Sequence, residues 1–213
     1  MSKTLYSMML SEDVVQEIDR LAHRRGTNRS ALVNQILAEY VNLMTPERRV
    51  SEIFRQIGEI LGTDRDLVPS LTPNAQSISL KSSLQVRYRP TVKYSVELFR
   101  DRREAVGELT VAFRTQSAEL LAAMESFFRL WKRIEDEYVS PCLPQPVRYT
   151  LAAGRFTRSL EPQGEFSPRG AAEAISDYVR LFDRLMKSYL AGADAAHISA
   201  EYLQWLHEGH TIM

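Results

Sequence analysis

The stretch that decides the fold is Thr4-Leu5-Tyr6-Ser7-Met8-Met9-Leu10-Ser11, followed by Glu12-Asp13-Val14-Val15-Gln16-Glu17-Ile18-Asp19-Arg20-Leu21-Ala22 and, across a turn, Gly26-Thr27-Asn28-Arg29-Ser30-Ala31-Leu32. Side chains alternate sides along an extended chain. Tyr6, Met8 and Leu10 therefore share one face of a short strand, and Leu5, Ser7 and Met9 share the other. Ser11 suits a helix N-cap, and Glu12 and Asp13 suit the positive end of that helix. Val14, Val15, Ile18, Leu21 and Ala22 then recur at helical spacing. Arg24 and Arg25 fall in the last turn, and Gly26 ends the helix. Asn28 caps a second helix whose apolar stripe is Leu32, Val33, Ile36, Leu37, Tyr40 and Val41.

A lone strand has nothing to satisfy its backbone N–H and C=O groups. Two copies paired antiparallel about a two-fold axis remove that deficit and let four helices share one core. The expected dimer core is Tyr6, Met8, Leu10, Ile18, Leu21, Leu32 and Ile36.

Residues 4–43 resemble the ribbon-helix-helix family of DNA-binding proteins, the MetJ/Arc-type and CopG-like group. The resemblance runs through Leu10-Ser11-Glu12-Asp13, Ile18-Asp19-Arg20-Leu21-Ala22 and Gly26-Thr27-Asn28-Arg29-Ser30-Ala31-Leu32. It implies a homodimer that lays its ribbon in the major groove of double-stranded DNA. Leu5, Ser7 and Met9 would then face the bases. It also implies that the start of the second helix holds a phosphate, with Lys3, Arg24, Arg25, Thr27, Asn28, Arg29 and Ser30 around it. This ribbon departs from the family habit of Arg or Lys on the outer face. Leu5 and Met9 can touch thymine methyls but cannot make the two-pronged contact of Arg to guanine.

Through Thr45, five bases (Lys3, Arg20, Arg24, Arg25, Arg29) balance five acids (Glu12, Asp13, Glu17, Asp19, Glu39). Generic DNA affinity rests on neutralised phosphates, so any such affinity must come from placement, with Arg24, Arg25 and Arg29 gathered at the inter-helix turn. The whole chain has 27 Lys and Arg against 27 Asp and Glu, leaving no global field to steer it to a polyanion. A hydrophobic content of 44% argues against a long disordered tail. Cys142 is the only cysteine, which permits no internal disulfide and fits a reducing compartment. The start of the chain lacks an apolar signal region, and no apolar run is long enough to span a membrane. A cytoplasmic, prokaryotic setting is expected, the latter from the resemblance.

Past the module (1–44), Thr45 and Pro46 open a third helix (45–62) with Val50, Ile53, Phe54, Ile57, Ile60 and Leu61 on one side. Residues 63–76 read as a linker, with Pro69, Pro73 and Asn74. Residues 77–213 read as an α+β domain with an antiparallel sheet and helices on one face. Strands are expected at Leu84–Arg89, Val92–Leu98 and Leu109–Arg114. A long helix is expected from Ser117 to Tyr138, a strand bent at Gly154 over Val147–Leu160, and two further helices, over Arg169–Leu190 and from Asp194 to near Glu208.

Between Thr72 and Thr115 eight bases face four acids, with Arg87, Arg89 and Lys93 on one strand face. That is a solvated sheet face, or else a second nucleic-acid surface or an anionic-ligand site. His207 and His210 can share a helix face, but a metal site needs more ligands. No metal or cofactor is expected. No phosphate-binding loop, nucleophile elbow, CxxC or HExxH is present, so no enzyme is expected. The reading is a homodimeric DNA-binding transcriptional regulator, acting as a repressor. Its alternatives are an interaction protein that uses the module as a dimer clamp, and an antitoxin or plasmid-maintenance factor. An effector or protein partner of the C-terminal domain stays open.

Overall fold

The computed structural model describes residues 5–64, 66–71, 77–84, 90–99, 106–161 and 167–210. The chain divides into two compact units, Met1–Arg48 and Arg49–Met213.

In the first unit, helices α1 (Glu12–Arg24) and α2 (Arg29–Tyr40) follow the expected pattern closely. Gly26 adopts φ +62°, a left-handed backbone that glycine takes at no cost. Thr27 N–H then reaches the Ala22 carbonyl at 3.0 Å and closes α1. The Asn28 side chain accepts from Ala31 N–H at 2.9 Å and starts α2. Ser11 stands at the N-cap of α1 in extended backbone, but its side chain makes no capping bond. The expected strand is absent from the single chain, where Leu5–Leu10 is exposed and irregular. The physical reason is the one that made pairing necessary: an isolated strand has no partner for its backbone.

In the second unit the strands run β1 (Leu67–Leu71), β2 (Ser77–Ser83), β3 (Thr91–Leu98), β4 (Gly107–Phe113), β5 (Tyr149–Ala152) and β6 (Arg155–Leu160). They form one antiparallel sheet in the order β1-β2-β3-β4-β6-β5. The protein is thus mixed α+β. Helices α3 (Pro46–Leu61), α4 (Ala118–Tyr138), α5 (Pro168–Leu190) and α6 (Ala195–His207) complete it. Ser117, Ser167 and Asp194 cap α4, α5 and α6 through their side chains. The Thr45 hydroxyl accepts from Arg48 N–H at 3.2 Å at the start of α3.

Three expectations differ from the structure. The stretch expected as a linker carries β1, which pairs with β2. Its prolines misled, because Pro69 sits on an edge strand, where proline is tolerated. The strand expected from Leu84 lies mostly outside the described residues, and the described pairing belongs to Ser77–Ser83 instead. Those residues are rich in serine and carry a weak β signature. The strand expected to bend at Gly154 is a tight hairpin of β5 and β6. Gly154 has φ +68°, and a Cβ there would stand 2.9 Å from the Phe113 carbonyl. Gly154→Val is expected to lower stability by about 1–3 kcal/mol, measured by urea denaturation with Ala152→Val as the control.

One face of the sheet carries the core. Ile78, Leu80, Val92, Tyr94, Val96, Leu109, Val111, Phe113, Phe156 and Leu160 are buried there. Rings from α4 and α5 fill the space above them: Phe128 stacks on Phe156 at 5.3 Å, Phe182 packs on Phe156 at 5.5 Å, and Phe127 meets Phe182 edge-on at 5.4 Å. The Tyr94 hydroxyl donates to Asp183 on α5 at 2.8 Å, and Lys187 clasps both Asp183 (2.7 Å) and Asp66 (3.0 Å). The opposite face is polar. Along β3 it presents Thr91, Lys93, Ser95 and Glu97, none of them buried.

Candidate functional site

The expected DNA-facing set lies in the first unit. Lys3 falls outside the described residues. Leu5 and Met9 are 99% exposed, and Ser7 is exposed with them. Arg24, Arg25, Thr27, Asn28, Arg29 and Ser30 are exposed around one turn. That turn brings α1 and α2 together, so the closeness of these residues is set by Gly26 and Asn28. Their availability differs. Arg29 is held by Asp19 through two parallel bonds, Nε to Oδ1 at 2.7 Å and Nη2 to Oδ2. Through that bond each partner holds the other in its charged form, with the Asp19 carboxyl below its usual range and the Arg29 pKa raised. The guanidinium expected on a phosphate is therefore committed to α1. Arg24 lies 3.8 Å from Glu17. Arg25 makes no ion pair among the described residues. Asn28 spends its side chain on Ala31, and the first backbone N–H groups of α2, at Arg29 and Ser30, have no acceptor within the helix, as at any helix start.

The expected dimer core divides in two. Leu32 is fully buried within its own chain, and Ile18 and Leu21 are half-buried. Tyr6, Met8, Leu10 and Ile36 are exposed, together with Val14, Leu37, Tyr40 (89%), Val41, Leu43 and Met44. An apolar set of this size, drawn from fewer than fifty residues, exceeds the scattered surface apolars of a monomeric domain.

In the second unit the sequence reading missed the most connected polar group among the described residues. Glu135 on α4 and Arg158 on β6 are both fully buried. Glu135 Oε2 accepts from Arg158 Nε at 3.0 Å and from the Tyr149 hydroxyl at 2.9 Å. Its Oε1 accepts from the Tyr178 hydroxyl at 2.8 Å and the Tyr202 hydroxyl at 3.0 Å. Trp131 Nε1 donates to the Tyr178 oxygen at 2.8 Å, and the Arg158 guanidinium lies 4.6 Å from the centre of the Tyr178 ring. One carboxylate thus joins β5, β6, α4, α5 and α6. Burial chiefly pushes the Tyr178, Tyr202 and Tyr149 hydroxyls above the ordinary phenol value, and the carboxylate adds to that. Burial works against the Arg158 charge, and Glu135 together with the surrounding tyrosines outweighs it. Four donors occupy Glu135, leaving it no role as a free base. The cluster is a structural tie, strengthened by a low local dielectric.

His210 stacks on Trp205 at 4.8 Å, with Asp177 at 3.5 Å, while His207 ends α6 exposed. Arg87 and Arg89 lie outside the described residues, and Lys93 is exposed on the polar sheet face. No helix among the described residues is long and apolar enough to cross a membrane. No protein-family model, curated protein or solved structure matches the chain.

Proposed function

We propose that the protein is a homodimeric DNA-binding transcriptional regulator of the ribbon-helix-helix kind, acting as a repressor rather than an enzyme. The observation that carries this reading is the exposed apolar set of the first unit beside an unpaired, strand-patterned Leu5–Leu10. Such a surface is what pairing with a second copy would cover. In that dimer Tyr6, Met8 and Leu10 turn inward, and Leu5, Ser7 and Met9 turn toward bases. The start of α2 and the unpaired Arg25 meet phosphates. Because Arg29 serves Asp19, phosphate binding rests on Arg25 and on the backbone N–H groups of Arg29 and Ser30. Apolar contact by Leu5 and Met9 favours thymine-rich sites.

The test is binding of the purified protein to the promoter DNA of its own operon. With about four phosphates neutralised per dimer, affinity should fall roughly a hundredfold between about 50 and 200 mM salt. Arg25→Ala should weaken binding alike on all sequences, and Ser7→Ala should change base preference. An intact dimer that binds no DNA selectively at low salt would leave the module as a dimer clamp and reject the regulator.

A further inference from the structure

The polar face of the sheet is ordered in rows. The central row is all hydroxyl: Ser79, Ser95, Thr110, Thr157 and Thr150 stand side by side across β2, β3, β4, β6 and β5. Neighbours within it bond, Ser79 to Ser95 at 3.4 Å and Thr110 to Thr157 at 3.2 Å. Two residues along each strand in one direction lies a cationic row, Lys81, Lys93, Ala112 and Arg155. Two residues in the other direction lies a row with Ser77, Glu97, Glu108 and Ser159. Lys81 is directly opposite Lys93, and Glu97 directly opposite Glu108. Like charges at directly opposed sheet positions repel, and none of these four side chains has an ion-pair partner among the described residues. Lys81, Lys93, Glu97 and Arg155 are exposed, and Glu108 is half-exposed. The described residues therefore carry two unrelieved like-charge pairs on this face, with Lys81, Lys93 and Glu97 standing out to solvent while Ser79 and Ser159 are buried.

The geometry points to a second copy of this chain as the occupant of that face. Place a two-fold axis along the hydroxyl row, between two sheets packed face to face. The rotation keeps each strand above its own counterpart and exchanges the two outer rows. Lys93 then meets Glu97 of the second copy and Glu97 meets its Lys93. Each like-charge pair gains opposite charge above it. On the axis Ser95, Thr110, Thr157 and Thr150, none of them buried, meet their own kind, and each can both donate and accept. The interface is isologous, as a two-fold contact must be, and strands crossing at the ordinary sheet-packing angle of about 30° stay in reach of long Lys and Glu side chains. A two-fold axis along the strands would instead set cation on cation. A face of roughly 20 by 15 Å is well below what a stable isolated dimer buries. The pairing is accordingly weak, and it adds one association step to whatever oligomer the rest of the chain forms.

The test is sedimentation equilibrium of the full chain over a wide concentration range, with folding checked by circular dichroism. Wild type should show a concentration-dependent doubling of mass. Lys93→Glu and Glu97→Lys should each raise the dissociation constant of that step at least about tenfold. The double variant Lys93→Glu/Glu97→Lys should recover it, and so should an equimolar mixture of the two single variants, in which each row again faces its opposite. The proposal is overturned by the absence of a doubling step, by single variants that leave it unchanged, or by loss in the single variants without recovery in the double variant or the mixture. Loss of an associated polyanion in Lys93→Glu alone, without self-association in wild type, would assign the cationic row to an anionic partner instead.

Discussion

Glu135→Ala should destabilise the second unit by about 3–5 kcal/mol, lowering its melting midpoint by roughly 10 °C. The substitution leaves the Arg158 guanidinium charged, buried and unpaired, and strips the acceptor from the Tyr149, Tyr178 and Tyr202 hydroxyls at one stroke. The cost comes from desolvated groups left without partners, more than from any net attraction of the ion pair. A control separates these terms. Removing both charges at once, as Glu135→Leu with Arg158→Met, should cost clearly less than Glu135→Ala alone. Calorimetry decides: a double variant as unstable as the single one would show that the tyrosines, rather than the Arg158 charge, carry the penalty. Glu135→Ala melting within a degree or two of wild type would remove the structural tie from the account.

Met8→Asp should abolish dimerisation through the first unit while leaving the melt of the second unit in place. In the paired ribbon each copy would bury a new carboxylate without a partner, a cost of several kcal/mol, and the dimer contains the change twice. The dissociation constant should therefore rise by about a thousandfold or more. Met9→Asp, one residue along and on the outer face, should leave the dimer intact and impair DNA binding by setting a negative charge toward the groove. Mass and DNA affinity measured on both variants read the two faces separately. Equal effects of the two substitutions on mass would contradict the alternation assigned to the ribbon.

The helices were legible because their signals are local. Caps at Asn28, Ser117 and Asp194, the stop at Gly26 and the apolar stripe of α4 all lie within a turn or two of the residues they govern. The serine-rich β2 and proline-bearing β1 were not legible, since what makes them strands is pairing with β3 and with each other. The Glu135 cluster left a signal that went unread. Glu135 falls four residues after Trp131 and seven after Phe128, on the inward stripe of α4. Arg158 alternates in phase with Phe156 and Leu160 on β6. Two opposite charges at core-phased positions of different elements point to a buried pair, but only the fold shows that they meet. The Asp19 hold on Arg29 was equally invisible, as it depends on how α1 lies against α2. That contact is why the proposed phosphate binding rests on Arg25 and the start of α2 rather than on the Arg29 side chain.

The proposed pairing of Leu5–Leu10 with a second copy underlies the functional reading, and backbone hydrogen exchange across those residues tests it most directly. At concentrations where the full chain is dimeric, the amides that bond across the ribbon should exchange far more slowly than in a free chain. In Met8→Asp the same amides should exchange at the free-chain rate. Free-chain exchange over Leu5–Leu10 in a wild-type sample of dimeric mass would mean that the dimer forms without a ribbon, and would contradict the account.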